Sequence, residues 1–360
     1  MPMIELTAPY PPRPAEMIRN LPEPLIPLSI MEGWTEGSVF ADDPRNPGVV
    51  LVSERKGSAN LFLCGRPNEQ NARMVAHLLE TTVIPSCERR GIVMSTVAWD
   101  DGGWEHLMAE MLAARPPVPD RRLLYTMDVN QTGRAADLEA LMAPPQGYEV
   151  RTVDADLLAS DGIAHIDEVR KEILRQWRSF GDFVKKGFGY CLVGENTITT
   201  WCLAEYPAGK EISLGVETVS EYRRQGHATV TAAASLRECV RRGLTPYWDL
   251  WASNTGSKKL AERVGLRQKA DYPVVYFYHN EIDNMLVNGN AAFRRRKDPE
   301  TAVRWYNRAF EAARVGSARA GSMLARQDSR EWWLKTSSEA YAAAGLAHPW
   351  ASCFPETSEE

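Results

Sequence analysis

The chain has 360 residues, too many for one ordinary domain, so two to three units are expected. Apolar residues make up 44% and charged residues 25%, ordinary globular values that allow sizeable cores. The formal net charge of −5 argues against a general nucleic-acid binder, whose phosphate contacts call for a basic surface.

Residues 1–20 hold Pro2, Pro9, Pro11, Pro12 and Pro14 and predict an extended arm, because proline removes a donor and steers its predecessor away from helix. From Leu21 the pattern is strand-like. Apolar runs at 39–41, 49–52 and 61–64 are separated by Asp42-Asp43-Pro44, Asn46-Pro47-Gly48 and Lys56-Gly57-Ser58, and predict an antiparallel meander. A helix is expected over 68–88, with Asn68 as N-cap and Met74, Val75, Leu78 and Leu79 as its apolar stripe. A strand at 91–98, a helix at 104–112 and a strand at 122–129 follow. Proline-rich connections lie at 115–119 and 142–147, and the domain boundary is placed at the second. Beyond it come a strand at 148–153 and a helical stripe of Val169, Ile173, Trp177 and Phe180 over 168–183. A hairpin of strands 188–193 and 197–205 turns through Gly194-Glu195-Asn196.

The stretch 211–266 organises the rest. A β-branched and apolar run at 212–219 precedes Tyr222-Arg223-Arg224-Gln225-Gly226-His227-Ala228, and an amphipathic segment at 229–242 follows. Such a strand-to-helix turn leaves the first N–H groups of the helix unpaired at the positive end of its dipole, which suits a phosphate or pyrophosphate. Gly226 lets a ligand approach the backbone, and Ala228 takes little room.

The order Arg-x-x-Gly-x-Ala after a strand and before a helix resembles the pyrophosphate-cradling motif of the GNAT superfamily of N-acyltransferases. The continuation agrees with it: a strand at 247–251, Asn254-Thr255-Gly256-Ser257, a helix at 258–263, the stop Val264-Gly265-Leu266 and a strand at 274–278. The first half repeats the same order of elements, yet nothing like the turn lies between Cys64 and Asn71. The resemblance therefore implies an α+β chain of tandem GNAT-like mixed-sheet domains, the first degenerate; an unrelated α+β first domain is the alternative. The division is an arm at 1–20, the degenerate domain at 21–143, an acyl-CoA-binding domain at 147–280 and a helical extension at 284–354. In that extension Leu286, Gly289, Phe293, Ala302, Tyr306 and Ala309 fall at the spacing of a tetratricopeptide-like hairpin with Lys297-Asp298-Pro299 as its turn. A poorer pair would run from 318 to 345. One hairpin makes no solenoid, so an appendage packed on the second half is expected.

The resemblance implies acetyl-CoA or another acyl-CoA as cofactor. Its contacts would be backbone near Val216 and Thr218, the turn residues Arg223, Arg224, Gln225, Gly226, His227 and Ala228, and then Asn254 and Ser257. His227 reads as a surface or helix-start residue. A bulge at Gly215 would splay the strand and admit the pantetheine arm. The candidate bases are Glu211 and Glu217, which share a parity opposite to Ile212, Leu214 and Val216. Glu211 lies near where some members keep a glutamate base, and otherwise reads as an exposed strand-end carboxylate; Glu217 reads as a turn-flanking surface residue. Where members keep a tyrosine acid this chain has Ala261. Tyr276 or Tyr278 would have to substitute, unless the thiolate leaves unaided.

The six cysteines, Cys64, Cys87, Cys191, Cys202, Cys239 and Cys353, have no C-x-x-C pair and no histidine at ligand spacing, and read as reduced, mostly core thiols; no metal is expected. No apolar run reaches membrane-spanning length and the start lacks the form of a signal peptide, so a cytoplasmic protein is expected. With Glu32-Gly33 to Asp42-Asp43-Pro44 in its first half, the chain resembles the branch that includes zwittermicin-type self-resistance acetyltransferases. The implied function is N-acyl transfer by direct attack onto a primary amine of a small metabolite or antibiotic. The alternatives are a peptide or protein N-terminus docked by the helical tail, or a non-catalytic CoA-binding interaction module.

Overall fold

The computed structural model describes residues 2–55, 59–100, 103–314 and 322–350. The turn expected at Lys56-Gly57-Ser58, Cys353 and portions of the 318–345 pair and of the tail to 354 lie outside the described residues.

Among the described residues twelve strands make one mixed sheet: β1 (Ile4–Leu6), β2 (Gly37–Ala41), β3 (Val49–Glu54), β4 (Asn60–Gly65), β5 (Met94–Trp99), β6 (Val118–Thr126), β7 (Tyr148–Thr152), β8 (Gly189–Gly194), β9 (Thr197–Ala208), β10 (Glu211–Thr218), β11 (Thr245–Trp251) and β12 (Arg267–Tyr278). Their order is β1-β2-β3-β4-β5-β12-β6-β11-β10-β9-β8-β7, in which the two halves correspond position by position about the middle. Outward from the central β12 and β6, the strands β5, β4, β3 and β2 answer β11, β10, β9 and β8. The halves also exchange their last strands: β6 pairs antiparallel with β11, and β12 stands beside β5. With its C-terminal helices this is the expected α+β class.

The chain divides into two compact units. The first holds Met1–Arg66, Val97–Gly103 and Asp120–Val274. Its strands β9 and β10 alternate between two faces, as the period of a strand dictates. On one face Cys202, Ala204, Ile212 and Leu214 pack with Ala232, Ala233, Leu236 and Cys239 of the helix His227–Arg242. On the other Trp201 and Leu203 pack with Val169, Ile173, Trp177 and Phe183 of the helices Ile166–Gln176 and Phe180–Lys186. The second unit holds Pro67–Thr96, Trp104–Pro119 and Val275–Glu360. In it the helices Glu281–Arg294 and Pro299–Arg314 form a hairpin. Gly289 makes this packing close, since a Cβ there would stand 2.8 Å from the Tyr306 ring. Among the described residues, no helix is long and apolar enough to cross a membrane.

Several local expectations give way. The proline-rich start forms β1 and the helix Pro12–Ile18, because prolines in a first helical turn remove N–H groups that have no partner there anyway. The helix Leu25–Met31, with Pro27 in its first turn, replaces strand-like structure for the same reason. The helix expected over 68–88 is broken by a π-turn at Leu79–Val83, ahead of Pro85, which has no N–H to give. The stripe over 168–183 belongs to two helices, divided at Trp177 (ψ 150°) where Ser179 caps the second by accepting from Asp182 N. The helix Arg134–Leu141 had no counterpart among the expected elements.

Candidate functional site

β10 and β11 run parallel but pair at only three positions, Glu211↔Thr245, Ile212↔Pro246 and Ser213↔Tyr247. Past these, β10 follows β9 as far as Thr218↔Thr200, and β11 follows β6 as far as Trp251↔Arg122, so the two strands diverge. The bond from Val219 N to Thr199 O sets the alternation of the β9–β10 ladder. Pairs at odd positions of β10 are therefore the hydrogen-bonded ones, and the N–H groups of Val216 and Thr218 face the gap.

No bulge lies at Gly215. The register shift falls between Glu211 and Ser213, where β9 carries the extra residue near Tyr206 (φ 46°). The divergence comes instead from the separate partners that β9 and β6 provide. Its closed end is tied by Tyr247 Oη, which donates to Glu211 Oε1 at 2.8 Å and accepts from Lys269 Nζ.

Two cavities open where the strands diverge. One, of about 540 Å³, lies between the end of β10 and the turn before the helix His227–Arg242. The other, of about 420 Å³, lies among Arg122, Glu172, Trp201, Glu205 and Asp249. Both are of small-ligand size. They share Val216, Glu217, Asn254 and Ser257, so they meet where the splay begins.

The larger cavity gathers most of the residues expected to hold the cofactor. Gly226 caps the 16-residue helix in the left-handed region (φ 86°), and a Cβ there would meet nothing within 4 Å, so the cavity floor at this point is bare backbone. Arg224 is also left-handed (φ 65°). Arg223 is held by its Nε donating to Thr218 O at 3.0 Å and by Glu217 at 3.1 Å. Ala228 and Thr218 complete this side. Gln225 lines neither cavity; its Nε2 donates to Glu221 O at 3.1 Å. Opposite, Asn254 Oδ1 accepts from Ser257 N and caps the helix Thr255–Arg263, while Ser257 Oγ accepts from Trp248 Nε1 at 2.9 Å.

His227 is 2% exposed and not a surface residue. Its Nδ1 lies 3.0 Å from Thr199 Oγ1, its ring packs on Tyr148 and Tyr222, and burial lowers its pKa. Ala261, at the tyrosine-acid position, is fully buried, and Tyr276 and Tyr278 line neither cavity.

The expected carboxylates separate. Glu217 reaches both cavities but is paired with Arg223, and Glu211 stays at the closed end with Tyr247. The carboxyl that sequence reasoning missed is Glu205, which lines the smaller cavity. Its signal was a lone acid in the otherwise apolar run from Trp201 to Ala208. Burial, with Glu172 and Glu54 adding to it, holds its pKa well above the usual carboxylate range.

A parallel splay beside a glycine-capped helix leaves a cleft open to a ligand, and comparison with known families says to which class such a chain belongs. The GNAT acetyltransferase family matches residues 15–275, so the chain belongs to that family and is an acyltransferase enzyme. The uncharacterized N-acetyltransferase YdfB of Bacillus subtilis (strain 168) is 25% identical over 260 residues, spanning 70% of this chain and 90% of that protein. The solved GCN5-related N-acetyltransferase-like protein from Streptococcus suis 89/1591 superposes with a TM-score of 0.58 at 22% identity, covering 74% of this chain and 97% of that one. A tandem GNAT protein from the clavulanic acid biosynthesis pathway superposes with a TM-score of 0.48 at 11% identity, covering 77% and 98%.

Proposed function

We propose that the protein moves an acetyl group from acetyl-CoA to the primary amine of a small metabolite or antibiotic, by direct attack in a ternary complex. One observation carries this reading: a cavity ending on a helix N-terminus and a cavity lined by carboxyls meet at Val216, whose N–H faces the gap. When bound, acetyl-CoA supplies a thioester carbonyl. The backbone at Gly226, His227 and Ala228, with Arg223 and Arg224, would hold its diphosphate. The N–H of Val216 would polarise the carbonyl, and Thr218, Asn254 and Ser257 would flank the arm. Gln225 and His227 would act from behind, holding the turn. Glu217 would fix Arg223, and Glu211 would fix the closed end of the splay. The sequence likeness to zwittermicin-type enzymes supports an antibiotic-like acceptor, and the hairpin around Gly289 and Tyr306 supports a tetratricopeptide-like reading of the tail.

Isothermal titration tests this. Acetyl-CoA should bind one to one, and Gly226→Val should weaken it about tenfold or more, since the left-handed turn costs a side chain ~1–2 kcal/mol and the valine enters the cavity. No binding by the wild-type protein overturns the proposal.

A further inference from the structure

Glu205 enters β9 between Ala204 and Tyr206 and pairs in register with Ser213. Its side chain leans over Gly215, and a Cβ there would stand 2.0 Å from Oε1 and 2.5 Å from Cδ. The carboxyl thus lies against the residue that precedes Val216, where the two cavities meet. Among the described residues it accepts no hydrogen bond and pairs with no cation. A second group of the same cavity is also unmatched: Trp201 is 4% exposed and its Nε1–H has no acceptor among the described residues. A carboxyl without a cation and an indole N–H without an acceptor both cost free energy until something supplies the partner.

The surroundings restrict what that partner is. Facing Glu205 are Glu172 and Gln176 from the helix Ile166–Gln176, Glu54 from β3, and Glu217 from β10. Arg122 and Asp249 come from β6 and β11; Arg122 is committed to Asp249 at 2.7 Å, as Arg175 is to Glu172 at 2.8 Å and Arg223 to Glu217 at 3.1 Å. Among the described residues Glu205 is left as the cavity carboxyl that no cation offsets, so at this point the cavity attracts a cation and repels a carboxylate.

Resting on the acetyl transfer proposed above, we propose that Glu205 receives the acceptor ammonium and takes its proton, and that the acceptor is an amine flanked by a neutral oxygen, hydroxyl or amide, with no carboxylate beside it. The ammonium gives one proton to Glu205. The freed lone pair of nitrogen bonds to the thioester carbonyl carbon, the carbon–sulfur bond breaks with its electron pair on sulfur, and the second proton lost by nitrogen converts the thiolate to thiol. Glu205 then passes its proton to water, so amide, thiol and one proton leave. Its raised pKa makes Glu205 a stronger base once ionised, and an ammonium beside it favours that ionised form.

The test is thiol release by the full chain at saturating acetyl-CoA, with serinol, isopropylamine and serine as one matched set and glucosamine and cyclohexylamine as another. Serinol and glucosamine should exceed serine in kcat/KM by about tenfold or more. Glu205→Gln should lose about 100-fold at pH 7 with unchanged acetyl-CoA affinity, and the loss should shrink as the pH approaches the acceptor's own pKa. Trp201→Phe should raise KM for serinol and glucosamine and leave isopropylamine and cyclohexylamine unchanged. Serine matching serinol overturns the acceptor class, as does thiol release confined to amines outside these sets. A Glu205→Gln variant within about twofold of wild type at pH 7, or with an unshifted pH profile, overturns the role of Glu205. Absence of acetyl-CoA binding is a separate result, which removes the underlying transfer and this inference with it.

Discussion

Glu205 of β9 lies against Gly215 of β10 so closely that a methyl group on Gly215 would stand 2.0 Å from Oε1. The glycine answers a side chain from the neighbouring strand, since neither a bulge nor a left-handed backbone occurs there. Gly215→Ala should push the carboxyl from its place and lower acceptor kcat/KM by roughly 5–150-fold, the kinetic equivalent of the ~1–3 kcal/mol that such overpacking costs. Acetyl-CoA affinity from titration should hold.

Glu211 and Tyr247 join two strands that diverge directly beyond them. Glu211→Gln should therefore act on stability. Turnover should stay within about twofold of wild type, and Tm should fall by on the order of 1–2 °C, the effect of losing ~1 kcal/mol in a protein of this size. A scanning melt beside a thiol-release assay separates this from a role as base.

Asn254 caps the helix Thr255–Arg263 and lines both cavities. Asn254→Ala should cost about 1 kcal/mol of stability and raise the acetyl-CoA KM, read by denaturant titration and steady-state kinetics.

Glu54 is 1% exposed, with Tyr206 Oη donating to Oε1 at 2.8 Å and Asn60 Nδ2 donating to Oε2 at 2.6 Å, and burial pushes its pKa up to about 8. A raised folded-state pKa gives stability that is full below the ordinary glutamate value and is lost as pH rises through about 8. Glu54→Gln, neutral at every pH, should raise Tm above wild type at pH 8 by on the order of 5 °C and lose that advantage near pH 4. Melting curves across this range check it.

Much of the proposed cradle was legible because it is continuous in sequence. Strand, turn and helix follow one another from Glu211 to Arg242, and the glycine that caps the helix sits among the arginines that mark the turn. The helical hairpin after Asn280 was legible for the same reason, since its turn and its packing glycine follow local rules of spacing. Boundaries shifted where proline acted in a first helical turn, as at Pro12 and Pro27, because the same residue type breaks a helix interior and tolerates a helix start.

By itself, then, the sequence determined a strand running into a glycine-capped helix, its arginines, and the parity that sets Glu217 apart from Leu214 and Val216. Only the tertiary structure decided that β6 and β12 change places between the halves, that β10 and β11 diverge after three pairs, and that Glu205 rather than Glu211 stands at the opening. Those outcomes depend on which distant strand pairs with which, and in what register. A shift of one residue near Tyr206 changes what Glu205 faces while leaving every local propensity as it was.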